Sequence, residues 1–448
     1  MGAGSPSKRI GVAMSELKVT GYIAAPSNLV PKSMKKAYTY QKKVYSGLPE
    51  DVKTYVEGKN HVHFPRNLQK MRRFLKQPFS YNVVAPKVAI GSLAEWFDLY
   101  DYQKESCDAI VEHFKADVNV LFQAGTRYGK TSTALGVFRA LGVRTLVLVD
   151  KTLLNDQFIN DWLDYSGGTV RISNLSANGV SDVTVSTLQY LNANPKLPVE
   201  LKDTFGLVIV DELHVSAATT YQRIIQSFNC RYRLGMTATP SRSADGLTGV
   251  LTDIFGDVKV IGVNPDNMTV HWKEYMLPKV YPSNPYNPSA TYEKYFLDPE
   301  VTENIIGVLL EHKDKTVLLA TNSKKVQNHY MSIMEGLGIT TCVFNSEAIN
   351  KKRQADNLQA VADGTITMFA GLNVLLKGVS IPRLEVVVNL FAVGSIENLQ
   401  QLVGRLKTKH KGKGTPLFIS CKPKFGNGKS DRVAGWLTDM TDTIKENP

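Results

Sequence analysis

Short apolar runs alternate with amphipathic segments from about residue 96 onward. Runs such as 146–149 and 207–210 are unbroken in apolar side chains, which is typical of strands buried on both faces of a parallel sheet. Segments with helical spacing lie between them, for example 131–141, which ends before Gly142. The pattern predicts an α/β fold with parallel sheets. Strands are predicted at 118–122, 145–149, 183–186, 207–210 and 233–236, and again at 316–320, 341–344, 366–370, 386–390 and 417–420.

The alternation is interrupted by a proline-rich stretch. Pro278, Pro282, Pro285 and Pro288 fall among Tyr, Asn and Ser residues, and proline continues neither a helix nor a central strand. We therefore predict a linker at 278–299 between two α/β lobes. The predicted organisation is a basic N-terminal accessory domain at 1–95, a first lobe at 96–277 and a second lobe at 300–448.

Composition narrows the class of protein. With 448 residues and 43% apolar residues, the chain has enough material for packed cores, which excludes a disordered protein. No apolar run approaches the length of a membrane-spanning helix, and the N-terminus lacks the apolar core of a secretory signal. The four cysteines form no Cys-x-x-Cys pair, which argues against a zinc ribbon. We expect a cytoplasmic protein, located in the host cytoplasm if a phage encodes it.

The positive charge is concentrated at one end. The chain holds 53 Lys and Arg against 41 Asp and Glu, a net +12; residues 1–95 hold 16 of the bases and five of the acids, a net +11. Residues 96–448 are therefore close to neutral. A surplus confined in this way indicates either a surface for polyanions or a solvated basic face.

The segment 124–131 has the order of a phosphate-binding loop. An apolar strand runs into Ala124, Gly125, Thr126, Arg127, Tyr128 and Gly129, and Lys130 and Thr131 then open a helix. Backbone N–H groups and a helix N-terminus hold phosphate oxygens in such loops. Lys130 would reach the β- and γ-phosphates of ATP, and the Thr131 hydroxyl would bind Mg²⁺.

A second apolar strand, 207–210, ends in Asp211 and Glu212. Two adjacent carboxylates after a buried strand are costly unless they bind a cation or serve catalysis. Asp211 would hold the Mg²⁺ shell, and Glu212 would act as the general base toward water. The alternative is an ordinary helix cap after a strand, which the preceding phosphate-binding loop disfavours.

These motifs and their order resemble those of superfamily 2 helicases, in particular the phage branch-migration and fork-remodelling helicases of the UvsW type. The resemblance covers about residues 96–420 and rests on the two motifs above and on five further segments. These are 99–103, 186–189, 236–240, 378–382 and 401–405, supported by Lys151 and Thr152.

The resemblance implies a role for each matching residue. Gln103 would read adenine, Thr237 and Thr239 would couple the ATP state to nucleic-acid grip, and Gly378 would contribute to the nucleotide site. Lys151, Thr152 and Thr187 would contact the sugar-phosphate backbone, and Arg405 would act as an arginine finger. The implied fold is a pair of RecA-like lobes in tandem.

Three residues depart from the family pattern. Arg127 replaces a glycine in the phosphate-binding loop, and Gly371 stands where a hydroxyl usually contacts the DNA backbone. Thr408 replaces the last arginine of motif six, so Arg405 is the remaining candidate finger. Loss of a finger is worth about 10³–10⁵ in hydrolysis rate.

Two basic segments allow opposite interpretations. Lys407 and Lys409 begin an acid-free run that either contacts phosphates or forms a solvated loop. Near the N-terminus, lysines alternate with Tyr38, Tyr40 and Tyr45, a pattern that suits base stacking or the core of a small domain. His61 and His63 lack a third metal ligand nearby and favour an ordinary strand.

The sequence therefore predicts a monomeric, ATP- and Mg²⁺-dependent DNA helicase or translocase that acts on forked or branched DNA. One alternative is an RNA helicase, because backbone-tracking motifs carry little information about the sugar. Another is a DNA-binding protein with a degenerate ATPase, which Thr408 and Gly371 suggest.

Overall fold

The structure is a computed structural model. It describes residues 16–42, 49–89, 98–125, 128–150, 152–213, 219–238, 247–257, 259–263, 268–282, 288–344, 351–371, 381–390, 396–408, 410, 412–424, 433–438 and 442–443. The chain forms two compact units that divide between Val263 and Asn264. Each unit contains one seven-stranded parallel sheet, so the predicted α/β fold with two parallel sheets is confirmed.

The first unit begins with a small module, residues 16–89, which we call the N-terminal module. Its five-stranded sheet has the order β5-β6-β2-β1-β7, and β3 and β4 form a separate antiparallel hairpin. The module has its own apolar core, in which Tyr38, Phe64 and Met71 are completely buried. Its elements are β1 (Leu17–Val19), β2 (Tyr22–Pro26), α1 (Lys32–Ala37), β3 (Thr39–Lys42), β4 (Glu50–Lys53), β5 (Val56–Glu57), β6 (His61–Pro65), α2 (Leu68–Phe74) and β7 (Phe79–Tyr81).

The rest of the first unit is a parallel sheet of order β10-β11-β9-β12-β13-β8-β14, with an apolar cluster on each face. Strands β9 and β12 are buried along their whole length, as their unbroken apolar sequences require. The elements are α3 (Asp101–Lys115), β8 (Val120–Ala124), α4 (Lys130–Leu141), β9 (Thr145–Val149), α5 (Thr152–Tyr165), β10 (Ile172–Asn174), α6 (Leu175–Asn178), β11 (Val183–Thr187), α7 (Leu188–Ala193), α8 (Leu197–Glu200), β12 (Leu207–Val210), α9 (Thr219–Ser227), β13 (Tyr232–Thr237), α10 (Thr248–Phe255) and β14 (Lys259–Gly262).

The second unit is built on a parallel sheet of order β17-β18-β16-β19-β20-β15-β21. Apolar clusters again cover both faces. Its elements are β15 (His271–Leu277), α11 (Pro288–Phe296), α12 (Pro299–Glu311), β16 (Val317–Ala320), α13 (Lys324–Gly336), β17 (Thr341–Phe344), α14 (Lys351–Asp363), β18 (Met368–Gly371), β19 (Val386–Asn389), α15 (Ile396–Leu406), β20 (Leu417–Pro423) and β21 (Asp442–Thr443).

The division between the units corrects the predicted domain boundaries. The prolines predict that the first lobe extends to residue 277 and that 278–299 is a linker. In the structure β15 pairs in parallel with β20 along its whole length, so this strand belongs to the second sheet. Helix α11 begins at Pro288, which is compatible with proline because the first helical N–H has no partner within the helix.

Two further features concern the cysteines and the helices. All four cysteines are buried free thiols, and burial raises the pKa of Cys107, Cys342 and Cys421 to about 12. No helix within the described ranges combines the length and apolarity needed to cross a membrane.

Candidate nucleotide site

The phosphate-binding loop connects the end of β8 to the start of α4. Gly129 forms the N-cap of α4 with a φ of +91°, a backbone conformation that favours glycine. A Cβ atom at Gly129 would lie 2.1 Å from Gln103 Nε2, so a side chain does not fit there. A Cβ at Gly125, by contrast, would meet no atom within 4 Å. The loop therefore has the open backbone at Gly125 and the tight turn at Gly129 that phosphate binding requires.

Lys130 and Thr131 occupy the first turn of α4. Lys130 Nζ donates to the carbonyl oxygen of Ala124 at 3.2 Å, which links the two ends of the loop. The carbonyl of Thr131 accepts from Trp162 Nε1 at 3.0 Å, and this bond ties the first turn to α5. The first turn, where helix N–H groups and the positive end of the helix dipole attract phosphate, is therefore held in place from two sides.

Helix α3 supports the loop from the opposite direction. The Gln103 side chain is buried, and its Nε2 donates to the carbonyl of Tyr128 at 2.9 Å. Its Oε1 accepts from the backbone N–H of Tyr100 at 3.1 Å. Gln103 therefore contacts the phosphate loop directly, in addition to the role toward adenine that the sequence predicts for it.

The two carboxylates follow β12, as predicted. The Asp211 backbone N–H donates to the carbonyl of Leu148 at 2.9 Å, which continues the pairing of β12 with β9. Glu212 has a φ of +49°, in the left-handed region that residues other than glycine rarely adopt. Such strained backbone is retained preferentially at functional sites. An ordinary helix cap does not require it, so the catalytic interpretation gains support.

Sheet register brings these motifs to one edge. Strand β13 lies between β12 and β8, and all three are parallel. Val210 pairs with Gly235, and Thr237 pairs with Gln123. Since carboxyl ends of parallel strands meet at the same edge, Asp211, Ala238 and the loop after Ala124 all leave the sheet there. This edge is where open α/β sheets bind ligands.

A magnesium ion at this edge would depend on few protein ligands. The described residues contain no group of three or more His, Cys, Asp or Glu that could hold a metal. The protein ligands that the sequence predicts are the Thr131 hydroxyl and the Asp211 carboxylate, and phosphate oxygens and water would complete the coordination of a bound Mg²⁺. Mg²⁺ is commonly bound in this way, through one or two protein oxygens and a nucleotide.

Several of the other predicted contacts can be placed. Thr237 is completely buried at the end of β13. The Thr187 hydroxyl is nearly buried and accepts from the Tyr190 N–H at 3.0 Å, so it caps α7. In the second unit, Arg405 lies in the last turn of α15 with 9% of its surface exposed. Lys407 follows it, and burial lowers the pKa of its ammonium.

Other predicted site residues lie outside the described residues. These are Thr126, Arg127, Lys151, Thr239, Gly378 and Lys409, and for Thr152 only the backbone of α5 is described. Their predicted roles stay predictions.

Lys413 shows how part of the basic run after α15 is used. Its Nζ donates to the carbonyls of Leu406 at 2.7 Å and Thr408 at 2.9 Å. A cation at the carboxyl end of a helix satisfies carbonyls that lack a partner within the helix. This lysine therefore stabilises the end of the helix that carries Arg405.

Tyr38 and Tyr40 of the N-terminal module pack against other parts of the protein. Tyr38 is completely buried in the core of the module, and the Tyr40 hydroxyl donates to Asp253 on α10 at 2.8 Å. The domain-core interpretation therefore holds for Tyr38, whereas Tyr40 is partly buried against the apolar cluster of the adjoining parallel sheet; Tyr45 lies outside the described residues. His61 and His63 lie in β6, an ordinary strand paired with β2.

Sequence reasoning missed the polar junction between this module and the parallel sheet. Arg66 is fully buried and donates to the carbonyls of Cys230 and Arg231. Burial lowers the pKa of its guanidinium to about 9. Arg233, also fully buried, donates to the carbonyl of Gly21 at 2.7 Å. Nothing in the local sequence distinguishes these arginines from the exposed ones.

Comparisons with known proteins agree with this geometry. Two family models match the chain: "Type III restriction enzyme, res subunit" over residues 97–242 and "Helicase conserved C-terminal domain" over residues 300–407. The probable helicase D10 of Escherichia phage T5 is 24% identical over 357 residues, which cover 76% of each protein. The DNA 3'-5' translocase XPB2 of Sulfurisphaera tokodaii is 28% identical over 269 residues, 57% of each.

One solved structure extends the comparison to the fold. The ATP-dependent Type ISP restriction-modification enzyme LlaBIII, solved bound to DNA, matches with a TM-score of 0.60 at 17% identity. The match covers 77% of this chain but 30% of that enzyme. At this identity the likeness supports the fold, which is a pair of RecA-like domains in tandem.

Proposed function

Because the chain is a superfamily 2 helicase and an ATP-hydrolysing enzyme, we propose that it uses ATP hydrolysis to move along DNA and to remodel forked or branched DNA. The observation that carries the proposal is the shared edge of the first parallel sheet. The phosphate loop, the strained Asp211-Glu212 turn and the end of β13 all leave the sheet there. ATP hydrolysis requires the phosphoanhydride bond, the ligands of the metal ion and a general base to lie together at one site.

Each residue has a defined task in this proposal. Lys130 and the N-terminus of α4 bind the β- and γ-phosphates of ATP, and Thr131 and Asp211 hold the metal. A bound Mg²⁺ neutralises charge on the phosphate oxygens. Glu212 accepts a proton from the attacking water. Gln103 contacts adenine, and Arg405 stabilises charge on the γ-phosphate.

The N–H groups of the first turn need no rearrangement to serve this chemistry. Gly129 already has the conformation that turns the chain into α4, and Thr133 and Ser132 hydroxyls donate to its carbonyl at 3.0 and 2.9 Å. Donors fixed before the substrate arrives are the most effective electrostatic catalysts, because no energy is spent on orienting them during the reaction.

The relatives include a DNA translocase and several putative ATP-dependent RNA helicases. We favour DNA because the DNA translocase is 28% identical over 57% of this chain, whereas the RNA helicases are 24% identical or less over 49% or less. The basic N-terminal module favours a substrate with duplex arms, since it supplies charge outside the parallel sheets. One alternative is a helicase that acts on RNA, and the other is a DNA-binding protein with a degenerate ATPase.

The test is an ATPase assay with matched single-stranded, duplex, forked and four-way DNA, and with the same structures in RNA. We expect the largest stimulation by forked or four-way DNA. Lys130→Ala is the control, and it should abolish turnover while DNA binding persists. Stronger stimulation by RNA would establish the RNA alternative, and nucleotide binding without turnover would establish the degenerate ATPase.

A further inference from the structure

Tyr128 is an unusual side chain for the middle of a phosphate loop, because it is large and completely enclosed. It has 1% of its surface exposed, and its ring lies against Phe122 of β8 with centroids 5.5 Å apart. Tyr102 of α3 contacts the same ring edge-on at 5.1 Å. On the third side, a Cβ atom at Gly262 of β14 would lie 2.6 Å from the ring. The ring therefore anchors the loop between α3, β8 and β14.

The hydroxyl of Tyr128 is also bound on both sides. It donates to the carbonyl of Tyr102 at 2.5 Å and lies 2.7 Å from Ser106 Oγ. Since the single phenol proton goes to Tyr102, the Ser106 hydroxyl is the donor to the Tyr128 oxygen. Burial raises the pKa of the phenol, so it stays protonated and able to donate at neutral pH.

A third bond joins the same residue to the same helix. The Tyr128 carbonyl accepts from Gln103 Nε2, so the side chain and the backbone of Tyr128 are both bound to α3. Gln103 and Ser106 lie three positions apart and therefore on one face of this helix, and the Tyr102 carbonyl belongs to the same first turn as Gln103. The helix that carries the adenine-contacting residue is thus fastened to the loop that holds the phosphates.

We propose that Tyr128 is a positioning residue for ATP hydrolysis, which fixes the phosphate loop to α3 so that base and phosphates are bound in one geometry. The inference rests on the proposed nucleotide site and gives a specific task to Tyr128, which the motif includes only as one position of the loop. Tyr128 touches neither the reacting phosphorus nor the water; it acts through Gly129 and Lys130, which follow it. Displacement of reacting groups by about 1 Å costs about 10²-fold in rate.

Tyr128→Phe tests the proposal, since it keeps the ring and removes both hydroxyl bonds. We expect kcat/KM for ATP to fall about tenfold, which corresponds to about 1.4 kcal/mol, with DNA affinity unchanged. Tyr330→Phe is the matched control, because Tyr330 is also fully buried and donates to the Phe296 carbonyl at 2.7 Å. The control should lose similar thermal stability without a change in kcat/KM.

Ser106→Ala approaches the same bond from the helix. Its effect on kcat/KM should be in the same direction and smaller, because Tyr128 keeps its bond to Tyr102. The double variant should be no worse than Tyr128→Phe alone, since both changes remove the same interaction. This series also covers the case in which Tyr128→Phe does not fold, because Ser106→Ala leaves the bond between the Tyr128 hydroxyl and the Tyr102 carbonyl in place.

Three results would overturn the inference. One is a folded Tyr128→Phe protein with wild-type kcat/KM and a lower melting temperature, which would make the tyrosine merely structural. Another is an unchanged kcat/KM in Ser106→Ala, and the last is an additive double variant. Failure of the nucleotide site itself is recognised separately, by persistent ATPase activity in Lys130→Ala.

Discussion

A single buried carboxylate joins the N-terminal module to the parallel sheet of the first unit, and its charge balance can be tested. Asp253 on α10 is completely buried. It accepts from Lys70 Nζ at 2.6 Å, from Tyr40 Oη at 2.8 Å and from Thr54 Oγ1 at 2.8 Å. All three donors belong to the N-terminal module. Lys70 also lies 4.0 Å from the centroid of the Tyr38 ring.

We predict that Lys70→Met destabilises the protein by about 3–5 kcal/mol at neutral pH. Methionine keeps the length of the side chain and removes the cation, which leaves a carboxylate buried without a counter-charge. Lys70→Met/Asp253→Asn removes both charges, so most of the lost stability should return. Lys35→Met is the control: Lys35 pairs with Glu57 at 2.9 Å on the surface, and its loss should cost less than about 1 kcal/mol.

The defect should depend on pH. Burial raises the pKa of Asp253 from 3.8 to about 6 even with Lys70 present. A carboxyl whose pKa is higher in the folded state than in the unfolded state contributes most stability at low pH, below about 4. That contribution is lost as pH rises through about 6, and a difference of about 2 between the folded and unfolded pKa values corresponds to about 3 kcal/mol. Without Lys70 the folded-state pKa rises further, so the loss continues above pH 6.

Thermal and urea unfolding at pH 5 and pH 8 measure these differences. The gap between Lys70→Met and wild type should be larger at pH 8. At pH 5 Asp253 is mostly protonated in both folded proteins, whereas at pH 8 the wild-type carboxylate is ionised and paired with Lys70, a pairing that the variant lacks. A Lys70→Met protein as stable as wild type at pH 8, or with the same defect at both pH values, would refute the reasoning. Asp253 would then be protonated or hydrated in the wild-type junction.

Three further predictions concern the proposed ATPase site and the N-terminal module. Glu212→Gln should bind ATP with near wild-type affinity and hydrolyse it at least about 10²-fold more slowly, which single-turnover ATPase measures; wild-type turnover would mean that another residue is the base. Arg405→Ala should lower kcat by about 10³-fold or more with little change in nucleotide affinity, and a small effect would assign the finger elsewhere. Deletion of residues 1–95 should lower the melting temperature sharply, because Arg233 and Asp253 lose partners; an unchanged melting temperature would make the module separable.

The strands that the sequence predicts most accurately are those buried on both faces. For 145–149 and 207–210 the predicted and observed bounds coincide, because long apolar runs admit few other interpretations. The bounds also coincide for 341–344, although this strand begins with Thr341 and lies at the edge of its sheet. The predicted boundary at residue 277 wrongly places strand β15 in the first lobe. Only Trp272 and Leu277 of its seven residues are buried, and its partner β20 begins 140 positions after Leu277, at Leu417. Such a pairing is not encoded in local pattern.

The residues of the candidate site also differ in how well the sequence predicts them. Lys130, Asp211 and Glu212 are recognisable from sequence, because strand, loop and helix follow one another locally and the chemistry restricts the residue types. The support of the loop is not recognisable, since Ser106 and Gly262 are bonded to or packed on Tyr128 from distant parts of the chain. A tyrosine within a glycine-containing loop is the one local signal that could have indicated it.

Fewer basic residues of the N-terminal region are available to bind DNA than their number implies. Of the 16 Lys and Arg in residues 1–95, Lys35, Lys42, Lys70 and Arg73 form ion pairs and Arg66 is buried. Two of the acids involved, Asp253 and Asp257, belong to the parallel-sheet part of the unit. Part of the positive charge of the module is therefore neutralised at its junction with the parallel sheet. Each phosphate contact contributes about 0.9 to the slope of log K against log[salt] for duplex DNA. Binding of DNA to this module would therefore depend on its exposed lysines, among them Lys18, Lys32, Lys36, Lys59 and Lys76. Lys70 and Arg73 instead pair with acids of the parallel-sheet part of the unit and hold the module to it, whereas Lys35 and Lys42 pair with acids of the module itself.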